Sequence, residues 1–248
     1  MSEFILPFIL TLIAGLSTMI GTLIIFTKYN KTKLTIYSLA FASGIMISIS
    51  LFDLIQESLK LLTTNYSKNI SFLYLTVGIS IGVLTALIIE KLIPENKNVQ
   101  NKKMYKVGVF NMLAIIIHNL PEGIITFLSA YTNIHLGITL TIAIIAHNIP
   151  EGIIISAPVY EATKSKKRAV GDTLISSMAE PLGGLLAYLF LKPIMANTIM
   201  GFILAFTSGI MLYIGVFKLS PFSIKYKFKT LLFFILGILI ININNILT

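Results

Sequence analysis

The sequence predicts an all-α integral membrane protein with eight transmembrane helices. It also predicts an inverted repeat, in which helices 1–3 correspond to helices 6–8 and helices 4 and 5 correspond to each other at the centre. Three observations carry this prediction: an apolar composition, eight apolar stretches of bilayer length, and segments that recur along the chain. Of the 248 residues, 56% are hydrophobic and only 12% charged, and the mean hydropathy is +0.89. Soluble domains carry about a quarter charged residues, so an ordinary soluble globule and a disordered chain are both excluded. The chain has no cysteine, which excludes a disulfide scaffold. A net charge of +9, from 19 Lys/Arg against 10 Asp/Glu, would point to nucleic acid if it lay on one solvated face. The placement of those charges decides otherwise.

The spans fall at about 4–27, 34–59, 70–93, 106–130, 136–160, 169–191, 196–217 and 228–247, each near the roughly 20 residues that cross a bilayer. Together they make one transmembrane domain over 1–248, with 94–105 as the longest polar linker. The first stretch is too long for a secretory h-region and has Glu3 where a basic n-region belongs, so it reads as a retained span. Sixteen of the 19 Lys/Arg lie on the 1–2, 3–4, 5–6 and 7–8 connections and their flanks, among them Lys31, Lys91, Lys103, Arg168 and Lys229. The other side holds Lys60, Lys68 and Lys192. The positive-inside rule then puts those four connections in the cytoplasm and both termini outside it. The expected location is the inner or plasma membrane, the bilayer is an expected partner, and a second copy of the chain is a candidate partner. No nucleic-acid partner is expected.

The repeat shows in three places. Ala40-Phe41-Ala42-Ser43-Gly44-Ile45-Met46 in span 2 is echoed by Ala205-Phe206-Thr207-Ser208-Gly209-Ile210-Met211 in span 7. Ser17-Thr18-Met19 in span 1 weakly resembles Ser176-Ser177-Met178 in span 6. Spans 4 and 5 share the strongest match, His118-Asn119-Leu120-Pro121-Glu122-Gly123 against His147-Asn148-Ile149-Pro150-Glu151-Gly152. In the topology above each matched pair runs in opposite directions through the membrane. Such repeats are a transporter device that places the substrate site near the midplane.

Charged groups inside a span cost about 2.5–3.5 kcal/mol each on insertion scales, so those present need a reason. His118, Glu122, His147, Glu151 and Glu180 sit well inside spans. In spans 4 and 5 the His, Asn and Glu are three and four residues apart, which puts all three on one helix face. Pro121 and Pro150 deprive the carbonyls of Ile117 and Ala146 of their usual helical donors, and in lipid such groups must be satisfied internally or line a cavity. Carboxylates, imidazoles and amides without thiolates suit Zn²⁺, Fe²⁺, Mn²⁺, Co²⁺, Ni²⁺ or Cd²⁺ rather than Cu⁺. Asp172, Ser176 and Glu180 recur every four residues as a stripe that could border a pathway, as could Asp53 and Glu57 toward the outer end of span 2. Asp53, Asp172 and Ser176 read equally well as helix–helix hydrogen bonders, and Glu57, Glu90 and Glu161 as interfacial residues.

The eight spans, the duplicated His-Asn-x-Pro-Glu-Gly and Ala179-Glu180-Pro181-Leu182-Gly183 together resemble the ZIP family of divalent-metal transporters, and within it the bacterial zinc permeases. The resemblance covers nearly the whole chain. It implies a binuclear centre in which His118, Glu122, His147 and Glu151 hold one ion, while Asn119, Asn148 and Glu180 help hold a second through the bridging glutamates. It implies import of Zn²⁺, Fe²⁺ and similar ions into the cytoplasm, as transported cargo and with no resident cofactor. Two departures from the family pattern stand out. Lys218 occupies the place of a span-7 acid, which is also the repeat position of Asp53, and the 3–4 loop lacks a His-rich cluster. An intramembrane metallohydrolase and a proton or anion channel are the competing readings. The hydrolase would want His-Glu-x-x-His on one helix, which the chain lacks, so an enzyme is not expected.

Overall fold

The computed structural model describes residues 2–27, 31–92, 101–191, 197–221 and 228–247, and among these the regular structure is helical throughout. Helix α1 (Ser2–Gly21) tightens into a 3₁₀ turn over Thr22–Phe26. Helix α2 (Lys31–Ser48) passes through a wide π turn, Ile49–Leu54, into α3 (Ile55–Thr63), and α4 spans Lys68–Leu92. Two long helices follow, α5 (Lys102–Thr132) and α6 (Ile134–Thr163), both running unbroken through the central prolines. Helices α7 (Lys166–Ser177) and α8 (Ala179–Leu186) are separated by Met178 alone, and a second π turn closes the rod at Ala187–Leu191. Helix α9 (Asn197–Tyr213) ends in a third π turn, Ile214–Leu219, and α10 covers Phe228–Leu247.

Seven of these rods are long and apolar enough to cross a membrane: Phe4–Phe26, Ile36–Thr63, Lys68–Leu92, Met104–Thr132, Ile134–Thr163, Lys166–Phe190 and Asn197–Leu219; a shorter apolar stretch, Phe228–Ile240, makes the eighth. The chain is an all-helical, multi-pass membrane protein. Span 2 runs to Thr63, past the expected end at 59, because the amphipathic turns of α3 bury Ser58 and Leu62 while Glu57 and Lys60 face outward. Of the 94–105 linker, residues 93–100 lie outside the described residues. The ends of the central helices are set by capping. The Asn101 side chain accepts from Met104 N, Asn133 from His135 N and Leu136 N, and Ser165 from Arg168 N.

The helices form two compact units, one from Met1–Thr35 with Ile93–Ile194 and one from Ile36–Leu92 with Met195–Thr248. In the first, α5 packs on α6, α1 and α8, and α6 packs on α1 and α7. In the second, α9 packs on α4 and α3.

Backbone packing supports the inverted repeat and corrects one of its registers. A Cβ added at Gly123 would strike the carbonyl of Glu180, and one at Gly152 the carbonyl of Thr18. Conversely, a Cβ at Gly183 would strike the carbonyl of Leu120, and one at Gly21 that of Ile149. Leu120 and Ile149 are already equivalent through the span 4/5 repeat, so Gly183 is the counterpart of Gly21, and Glu180 that of Thr18. The expected pairing of Ser17-Thr18-Met19 with Ser176-Ser177-Met178 is therefore three residues out of register. Small residues matched by identity there, whereas glycines allowing backbone contact fix the helix spacing. In the second unit the same reciprocity holds. Gly82 abuts the Phe206 carbonyl and Gly237 that of Phe41, while Gly44 abuts Phe234 and Gly209 abuts Ile79. The π turns Ile49–Leu54 and Ile214–Leu219 also occupy equivalent positions of spans 2 and 7.

Candidate metal centre

The motif residues converge in the first unit. His118, Asn119 and Glu122 share one face of α5, His147, Asn148 and Glu151 share one face of α6, and Glu180 lies in the first turn of α8. None of the seven is more than 4% exposed. The close glycine approaches bring these faces together: Gly123 seats α5 on the backbone of Glu180, and Gly152 seats α6 on α1.

Within this cradle the imidazoles and carboxylates bond across the helix pair. His118 Nε2 lies 2.8 Å from Glu151 Oε1, and His147 Nε2 lies 3.1 Å from Glu122 Oε2. Each histidine thus meets the glutamate of the other motif copy, which is why both helices must carry the full pattern. Asn119 Nδ2 donates to Glu180 Oε1 at 3.4 Å, and Asn148 Nδ2 donates to the same oxygen as well as to Ala14 O at 2.9 Å. Two amides therefore clamp one oxygen of Glu180 and leave the other free. Buried acceptors without a hydrogen-bond partner include Glu180 Oε2, Glu151 Oε2, Asn119 Oδ1 and Asn148 Oδ1, together with His118 Nδ1. Among the described residues no three His, Asp or Glu side chains stand as a closed ligand cluster. They are held instead in the two crossed pairs, which a cation would have to divide. Chemically this is a nitrogen and oxygen donor set carrying three carboxylates in a buried setting.

The remaining expected positions fall elsewhere. Asp172 is buried on α7, but Arg168 takes both its oxygens, at 2.8 and 2.9 Å. Ser176 is fully buried with an unpartnered hydroxyl, one turn before Glu180. Asp53 belongs to the second unit, half-buried within the π turn Ile49–Leu54, and Glu57 is exposed and paired with Lys60 at 3.0 Å. Lys218 lies in the equivalent π turn. It pairs with Glu90, to which Tyr213 also donates, and its ammonium sits 5.3 Å from the Tyr213 ring. The position held by Lys218 is thus a neutralised ion pair, and Glu90, expected to be interfacial, is a half-buried partner in it. Sequence reasoning passed over Asn111, Ser156 and Thr18, which are buried in the first unit with unpartnered oxygens. Their signal, a polar residue in an apolar span, was present, but only Thr18 lay in a matched segment, the weak one of spans 1 and 6.

Comparison with known proteins gives a consistent result. Residues 94–245 match the family model described as Zip, ZIP zinc transporter. The chain is 41% identical over 232 residues to the zinc transporter ZupT of Streptococcus mutans, covering 88% of each chain. It is 37% identical to ZupT of Chlorobaculum parvum, with 91% of each chain covered, and 37% identical to ZupT of Lysinibacillus sphaericus, with 90% and 89% covered. By the span of the family match and the extent of these likenesses, the chain belongs to the ZIP family.

Proposed function

We propose that this chain imports a divalent transition-metal cation into the cytoplasm by alternating access, with Zn²⁺ foremost and Fe²⁺, Mn²⁺, Co²⁺ and Cd²⁺ as further cargo. The ions bind at a binuclear centre on α5, α6 and α8. His118, Glu122, His147 and Glu151 hold one, and Asn119, Asn148 and Glu180 join the bridging glutamates at the second. One observation carries the reading: four buried oxygens of this set, on Glu151, Glu180, Asn119 and Asn148, lack any hydrogen-bond partner. An unsatisfied buried polar atom costs about 1–3 kcal/mol, and a cation relieves several at once. The relatives, named as zinc transporters, support transport rather than hydrolysis.

The direction rests on the charge pattern, which favours a plasma-membrane protein with the 3–4 and 5–6 connections inside and both termini outside. The test is uptake by the reconstituted protein across a panel of divalent metals, with wild type beside His147→Ala. Saturable zinc uptake that His147→Ala abolishes is expected. Wild-type uptake in that variant overturns the assignment, and peptide cleavage or metal-independent current from the purified protein favours the hydrolase or the channel instead.

A further inference from the structure

The repeat acts as an internal control on the surroundings of the centre, because each residue on one side of the midplane has a counterpart on the other. In the register that equates His118 with His147, Asn111 corresponds to Leu140 and Ser156 to Phe127. In the register that equates Gly21 with Gly183, Ser176 corresponds to Ala14 and Asp172 to Leu10. Every one of these pairs is polar on the side of the 3–4 and 5–6 connections and apolar on the other. On the apolar side Phe127 is fully buried, with Phe4, Tyr188 and Tyr131 rings at 5.9, 6.0 and 6.3 Å. The buried hydroxyls there, Thr11, Thr126 and Thr141, all bond back to their own helices.

The polar side also holds buried hydroxyls that bond back to their own helices, at Thr22 and Thr173, but it differs at three positions. Asn111, Ser156 and Ser176 are fully buried, and Asn111 Oδ1, Ser156 Oγ and Ser176 Oγ have no hydrogen-bond partner. Asn111 Nδ2 is fixed on the Ile154 carbonyl at 3.0 Å, two residues before Ser156, and α5, α6 and α7 pack against one another. Along the chain the three lie seven residues from His118, five from Glu151 and four from Glu180, which is about 6–11 Å toward the same side at 1.5 Å per residue.

We propose that the unpaired oxygens of Asn111, Ser156 and Ser176 form a neutral way station for a partly hydrated divalent cation, between the carboxylate–imidazole centre and the side bearing the 3–4 and 5–6 connections. Asp172, held by Arg168, stands at its mouth. The inference rests on the centre proposed above as the cargo site. Neutral amide and hydroxyl oxygens replace part of a cation's hydration shell without binding it tightly. A station of that kind therefore speeds departure from a strongly ligating centre, whereas an anionic one would retain the ion.

Ser156→Ala and Ser176→Ala test it in reconstituted wild-type background with radioactive zinc, alongside equilibrium zinc binding and thermal melting of each purified variant. Asn111→Leu is the more drastic change, but it also removes the bond to Ile154, so the serine variants decide. They delete unpaired hydroxyls and no hydrogen bond, so a purely structural role predicts an equal or higher melting temperature and unchanged uptake. The station predicts that maximal uptake falls roughly five-fold or more, with equilibrium affinity and the half-saturating zinc concentration held within about two-fold, as expected for an interaction made only during passage. Uptake at the wild-type rate in both, or a loss of uptake that tracks a loss of affinity, overturns it. Glu122→Ala measured in parallel separates the two readings. Uptake retained there overturns the centre itself, and uptake lost there with both serine variants at full rate overturns the way station alone.

Discussion

Glu180 shows how single side chains define the centre. Both asparagine amides point at one of its oxygens, so its carboxylate is oriented before any cation arrives. Its repeat counterpart Thr18 cannot supply a charge, and the centre is lopsided for that reason. Glu180→Gln keeps an acceptor for the two amides and removes the anionic oxygen. It is expected to fold normally while binding one zinc per chain in place of two, as counted by elemental analysis, and to transport about 10–100-fold more slowly. The histidines give a pH dependence of definite sign. An imidazole ligates only when neutral, so protons compete with the cation for it. Uptake should therefore fall as the medium on the entry side is acidified, which zinc uptake into initially zinc-free vesicles across a series of external pH values checks. The motif residues were legible in the sequence because the pattern occurs twice. Asn111 and Ser156 were not, because nothing local marks an isolated polar residue as unpaired; that depends on what neighbouring helices offer.

At the scale of the element, helix spacing is set by glycines whose hydrogens touch a neighbouring backbone. Gly123→Ala would push α5 off the Glu180 carbonyl, and overpacking of this kind costs typically 1–3 kcal/mol. A lowered melting temperature with disturbed zinc binding is expected. Gly171 on α7 is a contrast, since a Cβ there meets nothing within 4 Å. Gly171→Ala should stabilise by about 0.5–1 kcal/mol through helix propensity, visible as a higher melting temperature. The same glycines explain why the span 1/6 register was misread: Gly21 and Gly183 look unremarkable as letters and become diagnostic only once their contacts are known. The π turn holding Lys218 was likewise invisible, although its repeat relation to Asp53 was not. Lys218→Met should destabilise by removing the ammonium that pairs with Glu90, and Glu90→Gln with Lys218→Met should recover part of the loss in a double-mutant cycle.

For the whole molecule, the one-sided lysines are the basis of the proposed orientation in the bilayer, and the absence of cysteine makes that readily testable. His135→Cys lies in the first turn of α6, beside the α5–α6 connection, and Lys167→Cys in the first turn of α7, beside the α6–α7 connection, both at exposed positions. An impermeant thiol reagent applied to intact cells should label the first and spare the second until the membrane is opened. The reverse pattern would invert the proposed direction of transport. The fold class was legible because a bilayer imposes one length and one polarity on every span. The assembly of spans 1, 4, 5 and 6 into one unit and spans 2, 3, 7 and 8 into another was not, because it depends on which helix faces carry the contacts.

If the crossed histidine–glutamate pairs of α5 and α6 carry the metal, zinc uptake by vesicles containing Glu122→Ala must be lost. With equal amounts of folded protein and the same imposed zinc gradient, wild type should accumulate zinc, and Glu122→Ala should match protein-free vesicles. Accumulation by Glu122→Ala at the wild-type rate would mean that these pairs do not carry the metal.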